Sequence, residues 1–233
     1  MSSPLARSDR HALKDAVVRL HQKASHHHRI DTLAELLAHT IDRSHSDDAT
    51  LRCLDIGCGD MTLAESIGKR LPRSEWSCID IHPLAPDLAD DPRWAKYQQF
   101  NGCTIDAPDR HFHASLFCDV MHHIPGDLIA NLKEAARVSH TVVIKDHFEY
   151  SLYSRTMLKL MDIVGNWGYD ISIPKRYFSR TRFAQLAEDC GLEIADLNIG
   201  LELYRHNAVF RRVLRPKWQF IAVLRHADAD RRA

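Results

Sequence analysis

The sequence predicts an α/β fold: a doubly wound sheet of seven strands, mostly parallel, with an antiparallel strand at its end. Three observations carry this expectation. Short apolar runs alternate with helical repeats between residues 51 and 145. The first apolar run ends in a G-x-G turn, LDIGCGDMT over 54–62. Beyond residue 191 two strand-like runs follow each other with no helical repeat between them. Alternation of strand and helix demands a parallel sheet covered on both faces, and such sheets hold ligands at the carboxyl ends of their strands. A chain of 233 residues fits one domain of this kind with a sizeable core.

Taken in order, residues 1–9 read as a disordered tail. Residues 12–22 and 29–41 have helical spacing, with Leu33, Leu36, Leu37, Thr40 and Ile41 on one face. Residues 1–50 are expected to form an N-terminal helical cap, and residues 51–233 the main domain. A polar link over 42–50 leads into a buried strand over 51–56. A helix over 62–71 follows, then strands over 76–81, 96–100 and 115–120. A helix over 126–138 and a strand over 141–145 complete the alternation. Residues 150–165 have helical spacing, and the chain then passes through Pro174. We expect a helical lid over 148–180. A helix over 180–190 ends on Gly191 as its C-cap. The runs 192–204 and 218–225 read as an antiparallel pair.

Composition narrows the function classes. Lys+Arg and Asp+Glu balance at 31 each, so no global field draws nucleic acid or acidic membranes. No apolar run approaches a membrane span and the N-terminus has no apolar leader core, so a cytoplasmic protein without an integral membrane segment is expected. The six cysteines include no C-x-x-C pair and read as buried reduced thiols. Consecutive helical residues point about 100° apart, so the run His26–His28 is a poor chelate. No metal site is expected. Arg205, Arg211, Arg212, Arg215 and Lys217 read as an ordinary solvated hairpin.

The chemistry-bearing motifs gather at predicted strand ends. Gly57 and Gly59 allow a tight turn and leave room for a ligand. Asp80 lies twenty-one residues after Gly59, at the end of the second apolar run, where its carboxylate can accept bonds from a ribose. The set Asp55, Gly57, Gly59 and Asp80 is what a nucleoside-binding βαβ unit requires. The third glycine of a dinucleotide fingerprint is missing, and no phosphate loop occurs anywhere. Asp55 and Asp60 flank the turn and favour a cationic ligand. S-adenosylmethionine carries an ammonium and a sulfonium but no phosphate, and it is the expected cofactor. Ile81 could pack under its adenine face, and Asn101 with Gly102 could meet the adenine edge.

These residues resemble the class I S-adenosylmethionine-dependent methyltransferases, over roughly residues 30–225. LDIGCGDMT is similar to that family's glycine-rich first motif, with Cys58 inside it, and Asp80 to its ribose-binding acid. FCDVMHHI over 117–124 resembles the fourth strand and its exit loop, which brings in Asp119. VVIKDH over 142–147 resembles the fifth strand. IKDH, MDIVGN over 161–166 and SIPKRYFS over 172–179 are closest to a branch of small bacterial methyltransferases. Two positions depart from the pattern: Met61 stands where a third glycine is usual, and Asn101 where an aspartate often meets the adenine amine. The resemblance implies a Rossmann-like sheet and methyl transfer to a small organic acceptor.

Within that frame, His122, His123 and His147 are the expected catalytic residues, one of them a general base for an acceptor hydroxyl or amine. On an extended segment His122 and His123 point opposite ways, so only one of them faces substrate. Asp146, Tyr150, Tyr153, Met157 and Trp167 are expected to bind the acceptor, since aromatic and thioether side chains suit a lid over an aromatic or lipid-like molecule. Two other readings stand beside this one: a cofactor-binding protein of the same fold without turnover, and an RNA methyltransferase using the basic hairpin. The MHHI sequence and the balanced charge count against RNA. The sequence leaves the oligomeric state open.

Overall fold

Residues 28–83, 91–124, 126–165, 174, 176–204 and 212–227 are described by the structure, a computed structural model. The predicted helix over 12–22, His26 and His27, Trp167, Arg205 and Arg211 lie outside these residues.

The first strand, β1 (Leu51–Ile56), reads as an almost unbroken apolar run because helices cover both of its faces. On one face lie helix α1 (28–44) and α2 (Thr62–Arg70). Leu33, Ala34, Leu37, Ala38 and Ile41 of α1 share one buried cluster with Leu51 and Cys53 of β1 and with Ala64 and Ile67 of α2. The expected cap therefore contributes a layer of the main domain itself. On the opposite face, α3 (Leu128–Val138) and α5 (Arg180–Asp189) bury Leu132, Ala135, Phe183 and Leu186 against Leu54 and Ile56. Truncating a ring such as Phe183 costs about 3–5 kcal/mol in a core of this kind. Asp127 caps α3 by accepting from Ala130 N–H at 3.0 Å, and Ser179 caps α5 by accepting from Arg182 N–H at 3.2 Å.

The remaining strands are β2 (Ser74–Asp80), β3 (Tyr97–Gln99), β4 (Phe112–Cys118), β5 (Ser139–His147), β6 (Leu192–Ile199) and β7 (Gln219–His226). The sheet runs β3-β2-β1-β4-β5-β7-β6. The first five strands pair in parallel, and β7 runs antiparallel to both β5 and β6. The predicted sheet is thus observed. Strand order reverses between β1 and β4, which opens a crevice at their carboxyl ends.

Strand boundaries differ from expectation in an instructive way. β5 does not stop at Lys145 but continues through Asp146 and His147, which pair with Phe220 and Gln219 of β7. Lys145 pairs with both β4 and β7, and Asp146 and His147 with β7, so ladder pairing carries three polar residues into the interior. β4 begins at Phe112 and ends at Cys118, which leaves Asp119 outside the strand with φ 56°. Helix α4 (Leu152–Gly165) lies beyond β5, where Leu158 joins Tyr177, Leu214 and Trp218 in a small separate cluster.

Candidate functional site

The two motif glycines serve different purposes. Gly57 has φ 76°, and a Cβ there would come within 2.7 Å of Val120 Cγ2. Its small size seats the first turn against the exit of β4. Gly59 has φ 53°, and a Cβ there would meet nothing within 4 Å, so it faces open space. Gly59 N–H donates to Asp80 Oδ2 at 3.0 Å, and His82 N–H donates to Asp80 Oδ1 at 3.0 Å. These bonds fix the carboxylate at the rim of the crevice, and each oxygen keeps a further acceptor site. Asp55 is buried beside Asp80. Burial, and then the Asp80 charge, push its carboxyl up to about 7. Cys58 is also buried, and a hydrogen bond with Cys78 together with burial raises its thiol.

Next to Asp80 the Ile81 side chain is 52% exposed, a large apolar group left uncovered at the strand end. Gly102 packs close to it: a Cβ there would lie 3.2 Å from Ile81 Cγ2. Asn101 Oδ1 accepts from Cys103 N–H and Thr104 N–H, both at 2.8 Å, and so shapes the loop after β3. A cavity of about 210 Å³ opens here, lined by Ile79, Phe100, Asn101, Thr104, Ile105 and Asp106. Met61, in the place of a third glycine, is 2% exposed and adopts φ 60°, so the turn needs a left-handed residue as well as room.

A second group of polar side chains occupies the ends of β4 and β5. Asp119 accepts from Lys145 Nζ and from an Arg29 guanidinium nitrogen, which ties α1 to the sheet. Although burial alone would raise it, these cations and His147 hold the Asp119 carboxyl well below its usual range. Asp119, expected beside the cofactor, is thus part of an ion triad whose Lys145 is fully buried.

His122 and His123 do not lie on an extended segment. They occupy a 3₁₀ turn, Met121–His123, in which successive residues step by about 120°. Their ring centroids are 4.0 Å apart, which corrects the expectation that they point opposite ways. His122 Nδ1 donates to Asp146 Oδ1 at 2.6 Å, and its Nε2 lies 3.6 Å from Asp162 Oδ2. Burial would lower this imidazole, but Asp146 and Asp162 more than offset it and push it up to about 10. Both carboxylates thus favour the protonated form of this ring. His147 is buried with both ring nitrogens lacking a hydrogen-bond partner; burial, and then Lys145, lower its pKa.

Sequence reasoning missed one member of this group, Asp162, while Tyr177 falls within the aromatic-rich lid stretch that it predicts. Asp162 lies on α4 and is 6% exposed. Tyr177 O–H donates to its Oδ2. The available signal was an acid one helical turn after Leu158, on the buried stripe of an amphipathic helix. The aromatics expected to bind the acceptor lie apart from this histidine group. Tyr150 and Tyr153 are 45% and 51% exposed, with Lys217 and Arg215 over their rings. Met157 packs against the Leu158 cluster. The chain bends its apolar side into that cluster and turns both tyrosines outward, so the structure does not bring them to His122.

Among the described residues no helix is long and apolar enough to cross a membrane. A sequence family described as a methyltransferase domain matches residues 25–197. No curated protein matches the chain by sequence. Several solved structures share the fold. A SAM-dependent methyltransferase from Methanosarcina mazei aligns with TM-score 0.55 and 16% identity, over 77% of this chain and 93% of its own. The mitomycin 7-O-methyltransferase MmcR aligns with TM-score 0.58 and 16% identity, over 85% and 53%. The [4+2]-cyclase SpnF aligns with TM-score 0.56 and 13% identity, over 82% and 80%.

Proposed function

The chain belongs to the methyltransferase domain family, and from that premise we propose that it transfers a methyl group from S-adenosylmethionine to a small organic acceptor, an aromatic or lipid-like hydroxyl or amine. The observation that carries the cofactor reading is the Gly59–Asp80 arrangement. Open space lies over Gly59, and the Asp80 carboxylate is fixed at its edge by two backbone N–H groups. The residues fit the group. Asp80 would accept from the ribose hydroxyls, Ile81 would cover the adenine, and Asp55 would meet the ammonium. When bound, S-adenosylmethionine supplies a methyl group on a positively charged sulfur.

The chain's own part is positioning and exclusion of water. Methyl transfer needs in-line approach of the acceptor, and a well-held geometry can supply several kcal/mol of the barrier. The crevice between β1 and β4 has Val120 against the glycine turn, and Asp162 of α4 faces His122 of the 3₁₀ turn. The similarity of MmcR, a 7-O-methyltransferase, supports an oxygen acceptor. The similarity of SpnF, a cyclase, supports a second reading in which this fold serves a reaction other than methyl transfer.

Calorimetry with S-adenosylhomocysteine tests the cofactor reading. Asp80→Ala is expected to weaken binding at least tenfold, since losing a hydrogen bond to a charged group costs about 1.5–3 kcal/mol. Tighter binding of NAD than of either nucleoside would refute it.

A further inference from the structure

We propose that His122, His123 and Asp162 form a binding site for one divalent transition-metal ion of the zinc type, between the exit of β4 and the inner face of α4. A ligating atom of each residue lies within 4.8 Å of the others. Two ligands held at about 2.0–2.2 Å on a tetrahedral ion lie about 3.3–3.6 Å apart, so the widest pair of this set closes by at most about 1.5 Å when the ion binds. The separation of 3.6 Å between His122 Nε2 and Asp162 Oδ2 already suits a tetrahedral angle.

Three further observations point to a ligand. The His122 side chain is 1% exposed, its Nε2 has no hydrogen-bond partner, and it is directed at Asp162. Its other nitrogen is fixed by Asp146 at 2.6 Å, and Asp162 accepts from Tyr177 O–H. Carboxylate and hydroxyl partners of this kind orient the ligands of metal sites. The charges are also unbalanced. Asp119 is met by Lys145 and Arg29, while the buried Asp146 and Asp162 are paired only with imidazoles among the described ion pairs, His122 for both and His147 for Asp146. A buried negative charge left over is costly. A dication that takes the place of the Nε2 proton neutralises both carboxylates.

The neighbouring set His122, Asp146 and His147 is just as compact. Its His122 and Asp146 atoms are already joined by the 2.6 Å bond, so Asp146 is the outer partner of His122 and not a ligand of the ion. His123 is only half-buried, and three protein ligands leave the fourth position of a tetrahedral ion open. Two histidines, one carboxylate and an open position make a site that takes an oxygen ligand. Resting on the methyl-transfer reading, that ligand is the acceptor's hydroxyl or phenol oxygen.

The full-length chain, stripped with chelator, is titrated with Co2+, whose visible absorption reports coordination number, and then with Zn2+ in competition. One equivalent of four- or five-coordinate Co2+, displaced by Zn2+, is expected. Asp162→Asn and His122→Gln should each weaken uptake at least about 100-fold, and Tyr177→Phe about tenfold. Binding of S-adenosylhomocysteine, measured on the same samples, should change less than about twofold, which shows that the variants are folded. If the chain binds Co2+ as expected but not S-adenosylhomocysteine, the metal site stands and the methyl-transfer reading falls. No uptake at millimolar Co2+ would overturn the site. So would uptake that survives Asp162→Asn and His122→Gln but is lost when His26, His27 and His28 are replaced by alanine.

Discussion

The Asp55 carboxyl makes cofactor binding a reporter of its own protonation. It is 2% exposed, and burial together with the Asp80 charge lifts it to about 7. An ammonium placed against it favours the charged form, so binding releases the proton. The sign follows: ligand-free Asp55 is mostly neutral at low pH, and binding must then include the work of ionising it. For a group titrating near 7, the charged fraction is roughly one-eleventh at pH 6 and ten-elevenths at pH 8. Affinity for S-adenosylmethionine should therefore be about tenfold weaker at pH 6 than at pH 8, or about 1.4 kcal/mol. Calorimetry in buffers of different ionisation heat measures both the affinity and the released proton. At pH 6 release should approach one proton per ligand, and by pH 8 it should be small. Asp55→Asn should bind more weakly and show a flat profile between these values. A wild-type affinity that stays level, or tightens toward acid, would show that the ammonium does not meet Asp55 in its charged form.

Met61→Gly removes a left-handed conformation that costs an L-residue about 1–2 kcal/mol, but it also empties a buried side-chain position, and large-to-small core changes of that kind cost about 2–5 kcal/mol. Urea unfolding should show net destabilisation, while S-adenosylhomocysteine affinity of the folded variant stays within about tenfold of wild type. Asp119→Ala leaves Lys145 buried without its carboxylate and should destabilise by about 3–5 kcal/mol. An unchanged urea midpoint with lost cofactor affinity would instead return Asp119 to the cofactor site.

What the sequence revealed was local. β1, the glycine turn and Asp80 lie within thirty residues, and each is specified by its neighbours in the chain. Alternation then dictated the parallel sheet, and the two final runs the antiparallel strands. Strand ends were harder to read. Lys145, Asp146 and His147 look like an exit because polar residues usually mark one, yet pairing with β4 and β7 keeps them extended. The His122 environment was harder still. Asp146, Asp162 and Tyr177 reach it from three separate elements, and no spacing along the chain announces that meeting. Aromatic and thioether content marked Tyr150 and Tyr153 as lid residues, but composition does not say which way a side chain faces.

The Arg29–Asp119–Lys145 triad has a consequence for the birth of the chain. Arg29 leaves the ribosome well before its partners do. At ordinary synthesis rates of about 5–20 residues per second, roughly 6–20 seconds separate Arg29 from Lys145. For all of that time α1 carries an apolar stripe, Leu33, Leu37 and Ile41, that has no finished sheet to cover. The closing Arg29–Asp119 contact spans 90 residues, and contacts of that range slow folding because a long loop must be ordered before they form. Nascent chains halted shortly before residue 119 should therefore bind holdase chaperones through this stripe, and chains extended past residue 145 should release them.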